Sequence, residues 1–167
     1  MHLAGAVGGG ALLGAGLGLA GSVLELGRLR AWIVGGAAVI ALLISVTRSH
    51  FELGRPCQVP RKWSRSMPAY RRFFVWGTML GAGVVTLIPY PAYLLLLSAQ
   101  ATSGTSSAAI AGALFGLARE GPALLGVFRS TEPEETMEIL PRLRPAWRAV
   151  NVSLIVTGGA ALILTAL

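Results

Sequence analysis

The amino-acid sequence predicts an all-α integral membrane protein: a polytopic, glycine-rich bundle of about five transmembrane helices forming a single membrane domain over residues 1–167. Three observations carry this. Apolar residues make up 54% of the chain and charged residues 13%, about half the ~25% expected of a soluble domain. The mean hydropathy is +0.67. The apolar residues also gather into runs near the ~20 residues that cross a hydrocarbon core. Finally, the cationic residues concentrate between alternate runs, as a topology signal requires.

Five runs are read, at 3–26, 31–47, 73–98, 107–128 and 149–167. Only Met1 and His2 precede the first, so it lacks the basic leader of a signal peptide and is expected to stay in the mature protein. Gly10, Gly14 and Gly18 recur every fourth residue on one of its faces, and Gly77 with Gly81 and Gly112 with Gly116 repeat the spacing. Such faces let helix backbones approach closely, which matters in lipid because packing, not apolar burial, drives association. They suit a tight bundle, a homo-oligomer or a membrane partner docked through Gly10, Gly14 and Gly18; a passage lined by small residues is the other reading. Leu13-Gly14-Ala15-Gly16 recurs as Leu80-Gly81-Ala82-Gly83, with Gly10 matched by Gly77, which raises an internal duplication. Near the far end of the first run, Glu25 and Arg28 stand at i, i+3 and are expected to form a surface ion pair.

The second run begins at Trp32, an interfacial residue type. The basic loop 48–72 follows, and its aromatic residues (Trp63 and Tyr70, with Phe73, Phe74 and Trp76 beyond) interleave with cations, which suits contact with anionic headgroups. Loops 48–72 and 129–148 together hold Arg48, Arg55, Arg61, Lys62, Arg65, Arg71, Arg72, Arg129, Arg142, Arg144 and Arg148, against Arg28 and Arg30 on the opposite side. The positive-inside rule then places the N-terminus in the cytoplasm and the C-terminus outside a bacterial-type plasma membrane. Arg28 and Arg30 run against this, since they directly follow the first helix on the outer side. The net charge of +7 is read as topology plus anionic lipid; no nucleic-acid module is visible.

The third run contains Thr86-Leu87-Ile88-Pro89-Tyr90-Pro91. A proline inside a helix removes an amide donor and clashes with the carbonyl four residues earlier, so this span should kink or open. The freed carbonyls need partners, which Thr86, Tyr90, water or a neighbouring helix can supply. In the fourth run Arg119 and Glu120 interrupt an apolar sequence and Pro122 follows, so this helix too is expected to be broken. Ionisable groups deep in a bilayer are costly and normally face protein or water. Arg119, Glu120, Thr86, Pro89 and Tyr90 are therefore the candidate substrate-binding residues of a polar site near the midplane, with the arginine favouring a small anionic solute. The alternative is that the prolines only shape packing while the charges pair internally or with Glu25. Adjacent helical residues point ~100° apart, so Arg119 and Glu120 cannot both face one narrow partner.

Loop 129–148 opens with Thr131-Glu132-Pro133-Glu134, a helix-start pattern, and a short cytoplasmic helix is expected that Pro141 stops. Its acids Glu134, Glu135 and Glu138 are expected to contact the basic loop 48–72. The single cysteine, Cys57, excludes an intramolecular disulfide; its cationic neighbours favour the thiolate, but an incidental reduced thiol is the preferred reading. His2 and His50 have no carboxylate or thiol at metal-ligand spacing, so no metal, and no other cofactor, is implied. Nucleophile-elbow, P-loop and dinucleotide patterns are absent from the sequence, which argues against an enzyme.

The stretch Trp76-Gly77-Thr78-Met79-Leu80-Gly81-Ala82-Gly83 through Thr86-Leu87-Ile88-Pro89 resembles the membrane region of the cytochrome c biogenesis and thiol-reductant transporters, within the amino-acid and sulfite exporter superfamily. The resemblance covers spans three and four and implies a small helical, transporter-like bundle. The redox branch of that family carries paired membrane cysteines beside such prolines. Here Ile88 and Tyr90 flank Pro89, so a thiol–disulfide relay is not implied. These features leave three function classes: a permease-like protein; a structural or assembly subunit of a larger membrane complex; and, least favoured because no acid-base or metal constellation is recognisable, a membrane-embedded enzyme.

Overall fold

The computed structural model describes residues 1–47, 66–83, 88, 90–129 and 133–165, with the backbone alone for 121–129 and 133–148. All its regular elements are helical: α1 (His2–Val23), a short 3-10 turn (Leu26–Leu29), α2 (Arg30–Thr47), α3 (Ala69–Gly81), α4 (Tyr93–Thr102), α5 (Thr105–Arg129) and α6 (Pro133–Leu164). Among the described residues, two segments are long and apolar enough to cross a membrane, His2–Val23 and Leu26–Thr47. Tyr93–Thr102 and Ala149–Leu164 are shorter apolar helices.

Glycine supplies eight of the 22 residues of α1. Each costs about 1 kcal/mol relative to alanine in a water-exposed helix. In a lipid setting the balance differs, because every backbone amide must be paired within the chain and the helix is the way to pair it. The first helix ends when the Leu24 and Glu25 amides turn back onto the Ala20 and Ser22 carbonyls, at 3.0 and 3.2 Å. Glu25 itself takes the left-handed conformation, φ 52°, and reverses the chain into the 3-10 turn.

Neighbouring α1 carries most of the tertiary contacts. It runs parallel to α3, with Gly77 against His2 and Gly81 against Ala6, and antiparallel to α5, with Gly10 against Gly112 and Gly14 against Ala108. A second group forms where α2 and α6 run antiparallel, with Gly35 beside Ile163 and Gly159 beside Ala38. Val34, Ala41, Leu95 and Ile155 are its buried core, and Leu95 brings α4 into it. The exterior is apolar: Leu12, Val39, Leu43, Ile110, Leu114 and Leu154 are all exposed, as lipid-facing residues are. Trp32 is exposed at the start of α2.

The structure redraws three expected boundaries. The run at 73–98 is two helices: α3 stops at Gly81, Gly83 takes φ +67°, and α4 starts at Tyr93. Since Gly81 meets Ala6 and Ala101 meets Gly21, α3 and α4 follow α1 from one end towards the other, and the interruption lies between those two levels. The fourth run was expected to break at Pro122, yet α5 is helical from Thr105 through Arg129. A proline removes one helical bond, and the bonds on either side can hold the axis. Likewise α6 passes through Pro141, so the predicted loop helix and the fifth span are one 32-residue element. The two copies of the Leu-Gly-Ala-Gly pattern also differ, because Gly16 is helical whereas Gly83 is left-handed in a turn.

Candidate functional site

Asn151 sets the start of α4, and with it the far side of the interruption. Its Oδ1 accepts from the Ala92 amide at 3.2 Å, and its Nδ2 donates to Ser45 Oγ at 3.0 Å. Ser45 in turn donates to the Ala41 carbonyl at 2.8 Å. One amide side chain therefore caps α4 from α6 and ties both to α2. Without it the Ala92 donor at the N-cap position would lack its partner, which is costly away from water.

From this start, Tyr93 projects onto α5. Its ring lies 4.9 Å from that of Phe115, and the Arg119 guanidinium lies 6.0 Å from the same Phe115 ring. Arg119 interacts electrostatically with Glu120, Tyr93 and Tyr90. Tyr93 is buried and Tyr90 is 45% exposed, so the cluster reaches from the interior to a surface. Gly83 completes the wall; a β-carbon there would lie 2.5 Å from the Tyr93 hydroxyl. Glycine is required at this position for that close approach as well as for its positive φ.

Glu120 turns the other way. Its Oε2 lies 3.1 Å from Nδ1 of His2, and its side chain is 11% exposed. The contact is a hydrogen-bonded ion pair when the imidazole is protonated. Thus the ~100° step between neighbours directs Arg119 to α4 and Glu120 to α1.

Of the predicted site residues, Arg119, Glu120 and Tyr90 are brought into one neighbourhood, while Thr86 and Pro89 lie outside the described residues. The depth differs from expectation. Antiparallel packing of α5 on α1 sets Glu120 against the first turn of α1, so the charged pair sits at the level of that helix end, away from its middle. Glu25 is not its partner: it pairs with Arg28 at the opposite end of α1, at 3.1 Å.

Sequence reasoning missed His2, Tyr93, Asn151 and Gln100. Gln100 is 2% exposed, and its Oε1 has no hydrogen-bond partner among the described residues. Its Nε2 lies close to Gly112, where α1 and α5 touch. The basic-aromatic segment entering α3 stacks on itself: Arg71 lies 5.8 Å from the Tyr70 ring and Arg72 lies 5.5 Å from the Phe73 ring. Among the described residues no three His, Cys, Asp or Glu side chains gather as metal ligands would. Cys57, His50 and the acidic cluster Glu134, Glu135 and Glu138 lie outside the described side chains.

The polar groups therefore form a strip: Gln100 in the interior, Tyr93, Tyr90 and Arg119 around the interruption, and Glu120 with His2 at the end of α1. A cation flanked by phenols suits an anion, since it supplies charge and the phenols supply O–H donors. Compared with protein-family models, with curated proteins and with solved structures, the chain matches none.

Proposed function

We propose that the protein is a small multi-pass membrane protein of the transporter or permease class, with five spans, a cytoplasmic N-terminus and a polar site for a small anionic solute. One observation carries the reading: the third apolar run is interrupted between Gly81 and Tyr93, and Tyr93 at the start of α4 shares the Phe115 ring with Arg119. Discontinuous helices in lipid are tolerated where they border protein or a hydrated cavity, and transporters place their binding sites at such breaks. In this reading Arg119 holds the anion and Tyr90 and Tyr93 donate hydrogen bonds. Thr86 and Pro89 stay candidate site residues on sequence grounds, and the Glu120–His2 pair closes the strip towards the cytoplasm. The resemblance of spans three and four to the thiol-reductant and exporter transporters points the same way. Arg71 and Arg72, with Tyr70 and Phe73, would meet anionic headgroups.

Single cysteines at Tyr90, Arg119 and Tyr93 in a Cys57→Ser background test this, probed with a membrane-impermeant thiol reagent from each side. Labelling at these positions from the cytoplasmic side, slowed by a permeant anion, is the expected result. Silence at all three, with exposed control positions labelling normally, removes the hydrated path. The second reading, a dry assembly subunit, is favoured by the backbone-on-backbone contacts of α1, and predicts that silence. The Gly10, Gly14, Gly18 face is occupied by α5 of the same chain. A partner docked through those residues would have to displace α5.

A further inference from the structure

The two arginines that contradict the charge asymmetry, Arg28 and Arg30, lie at the opposite end of α1 from Glu120, beside a cleft of about 370 Å³. Gly21, Ser22, Glu25, Gly27, Arg28, Thr102 and the 103–104 turn line this cleft. Its chemistry is asymmetric. Both α1 and α4 end here, and helix C-termini carry partial negative charge. Two of the lining hydroxyls already spend their protons: Ser22 Oγ donates to the Leu19 carbonyl at 2.7 Å and Thr102 Oγ1 to the Ser98 carbonyl at 2.8 Å. What these oxygens offer a visitor is lone pairs. Glu25 adds a carboxylate on the same wall, and Arg28 places one guanidinium 3.1 Å from it. The polar groups of this mostly apolar cleft are thus chiefly acceptors, with a single cation at its rim.

Glu25 is also the sole non-glycine residue with positive φ among those described. Glycine would fit this turn without strain, and three glycines line the same cleft. A carboxylate held where glycine is the natural occupant indicates a use for the carboxylate itself. The ion pair does not supply that use. Its side chains are 82% and 64% exposed, and exposed pairs contribute little.

We propose that this cleft binds a primary ammonium carried beside an anionic group. The ammonium would sit among Glu25, Ser22 and Thr102 at the two helix ends, and the anion would pair with Arg28, opening the Glu25–Arg28 contact. Arg30, two positions further along the chain, has a buried Nε with no hydrogen-bond partner among the described residues. The same chemistry is presented by an aminoethyl phosphodiester lipid headgroup and by a soluble zwitterion. In either case Arg28 and Arg30 stand on the outer side because a ligand holds them there, which resolves their conflict with the charge asymmetry.

The test uses the full-length protein in detergent, with lipid retention read by native mass spectrometry and soluble binding by calorimetry. The probes are phosphatidylethanolamine, phosphatidylcholine and free O-phosphoethanolamine. Phosphatidylcholine keeps the anion but has no N–H to donate. At least a tenfold preference for phosphatidylethanolamine over phosphatidylcholine, lost in both Glu25→Gln and Glu25→Gly, establishes the headgroup as ligand. Binding of O-phosphoethanolamine with no lipid preference, again lost in both variants, establishes a soluble zwitterion. The glycine variant separates binding from folding, since it relieves the strained φ and is expected to be at least as stable as the parent. Equal retention of both lipids with no soluble binding overturns the proposal, as does a preference that survives Glu25→Gly.

Discussion

The two packing groups of this bundle solve the same problem by different means. Around α1, helices meet backbone to backbone: a β-carbon at Gly9 would overlap the Thr78 carbonyl, at Gly10 the Gly112 carbonyl, and at Gly81 or Gly116 the Ala6 carbonyl. Around α2 and α6, helices meet through side chains. A β-carbon at Gly159 would lie 3.2 Å from the Ala38 methyl, and one at Gly35 would lie 3.8 Å from Ile163. The first interface gains from extended van der Waals contact between surfaces that cannot yield. The second contains Val34, Ala41, Leu95 and Ile155, whose rotamers can adjust, and is pinned by the Asn151 network. A rigid half built on α1 therefore adjoins a more compliant half, and α4 touches both. The interruption before α4 lies where the two kinds of packing meet.

If that contrast is real, the largest effect should come from a single methyl group in the rigid half. Gly10→Ala and Gly112→Ala each drive a β-carbon into a carbonyl of the facing helix, which no side-chain rotation relieves. Overpacking costs ~1–3 kcal/mol where side chains can shift, and backbone overlap should reach or exceed the top of that range. The expected result is loss of the folded state, or a fall of at least ~3 kcal/mol in unfolding free energy, measured by denaturant titration in micelles. A change below 1 kcal/mol in both variants would sink the backbone-contact description of α1 and α5.

Truncation in the compliant half should be milder than a methyl insertion in the rigid one. Ile155 is 2% exposed and the largest fully buried side chain of its cluster. Ile155→Ala leaves a void whose cost in water-soluble cores is ~2–5 kcal/mol. The lower half of that range is expected here, because Leu162, Ile163 and Leu42 pack against the cluster and can relax into the gap. The same titration checks it; a loss larger than that of Gly10→Ala would invert the comparison.

Much of the rigid half was legible in the sequence. The stripes Gly10-Gly14-Gly18 and Gly112-Gly116 mark the α1–α5 contact, and placing Gly10 opposite Gly112 in antiparallel register sets Glu120 opposite His2. That pairing was within reach, but His2 was weighed only as a metal ligand. That the third run is interrupted, between Gly81 and Tyr93, was legible too, since two prolines in one apolar run have few other consequences. What could not be read is how a break is held. Asn151 lies in an apolar helix whose sequence is otherwise unremarkable, 59 positions from the Ala92 amide it caps. Nothing in the local pattern links them. Pro122 and Pro141 misled for a related reason: a proline signals a lost hydrogen bond, while the neighbouring turns decide whether the helix continues.

The Asn151 network gives the next step down in magnitude. Asn151→Ala removes the acceptor for the Ala92 amide, which loses its partner, and the donor to Ser45, which keeps its bond to the Ala41 carbonyl. Interhelical hydrogen bonds in membranes average ~0.6 kcal/mol and reach ~1.7 kcal/mol, so a loss of ~1–2 kcal/mol is expected. Ser45→Ala keeps the cap on α4 and should cost less than half as much. Amide hydrogen exchange locates the effect: in Asn151→Ala the first turn of α4 should exchange faster while the middle of α1 is unchanged. Uniform acceleration across the bundle would mean that the two halves unfold as one.

The smallest expected effect has the opposite sign and bears on what surrounds α1. Gly8 and Gly16 lie on the same helix as the contact glycines, yet a β-carbon at either meets nothing within 4 Å. Gly8→Ala and Gly16→Ala should therefore leave packing untouched and stabilise the helix by a few tenths to ~1 kcal/mol, through the reduced freedom of the unfolded chain. The comparison with Gly10→Ala is internal, because the substitution, the helix and the method are identical and only the facing surface differs. Should either alanine destabilise the protein in bilayers but not in micelles, the open side of α1 is covered by something other than lipid. Crosslinking from a cysteine at Gly8 would then distinguish a second copy of the chain from another membrane protein, and would favour the assembly-subunit reading over the permease.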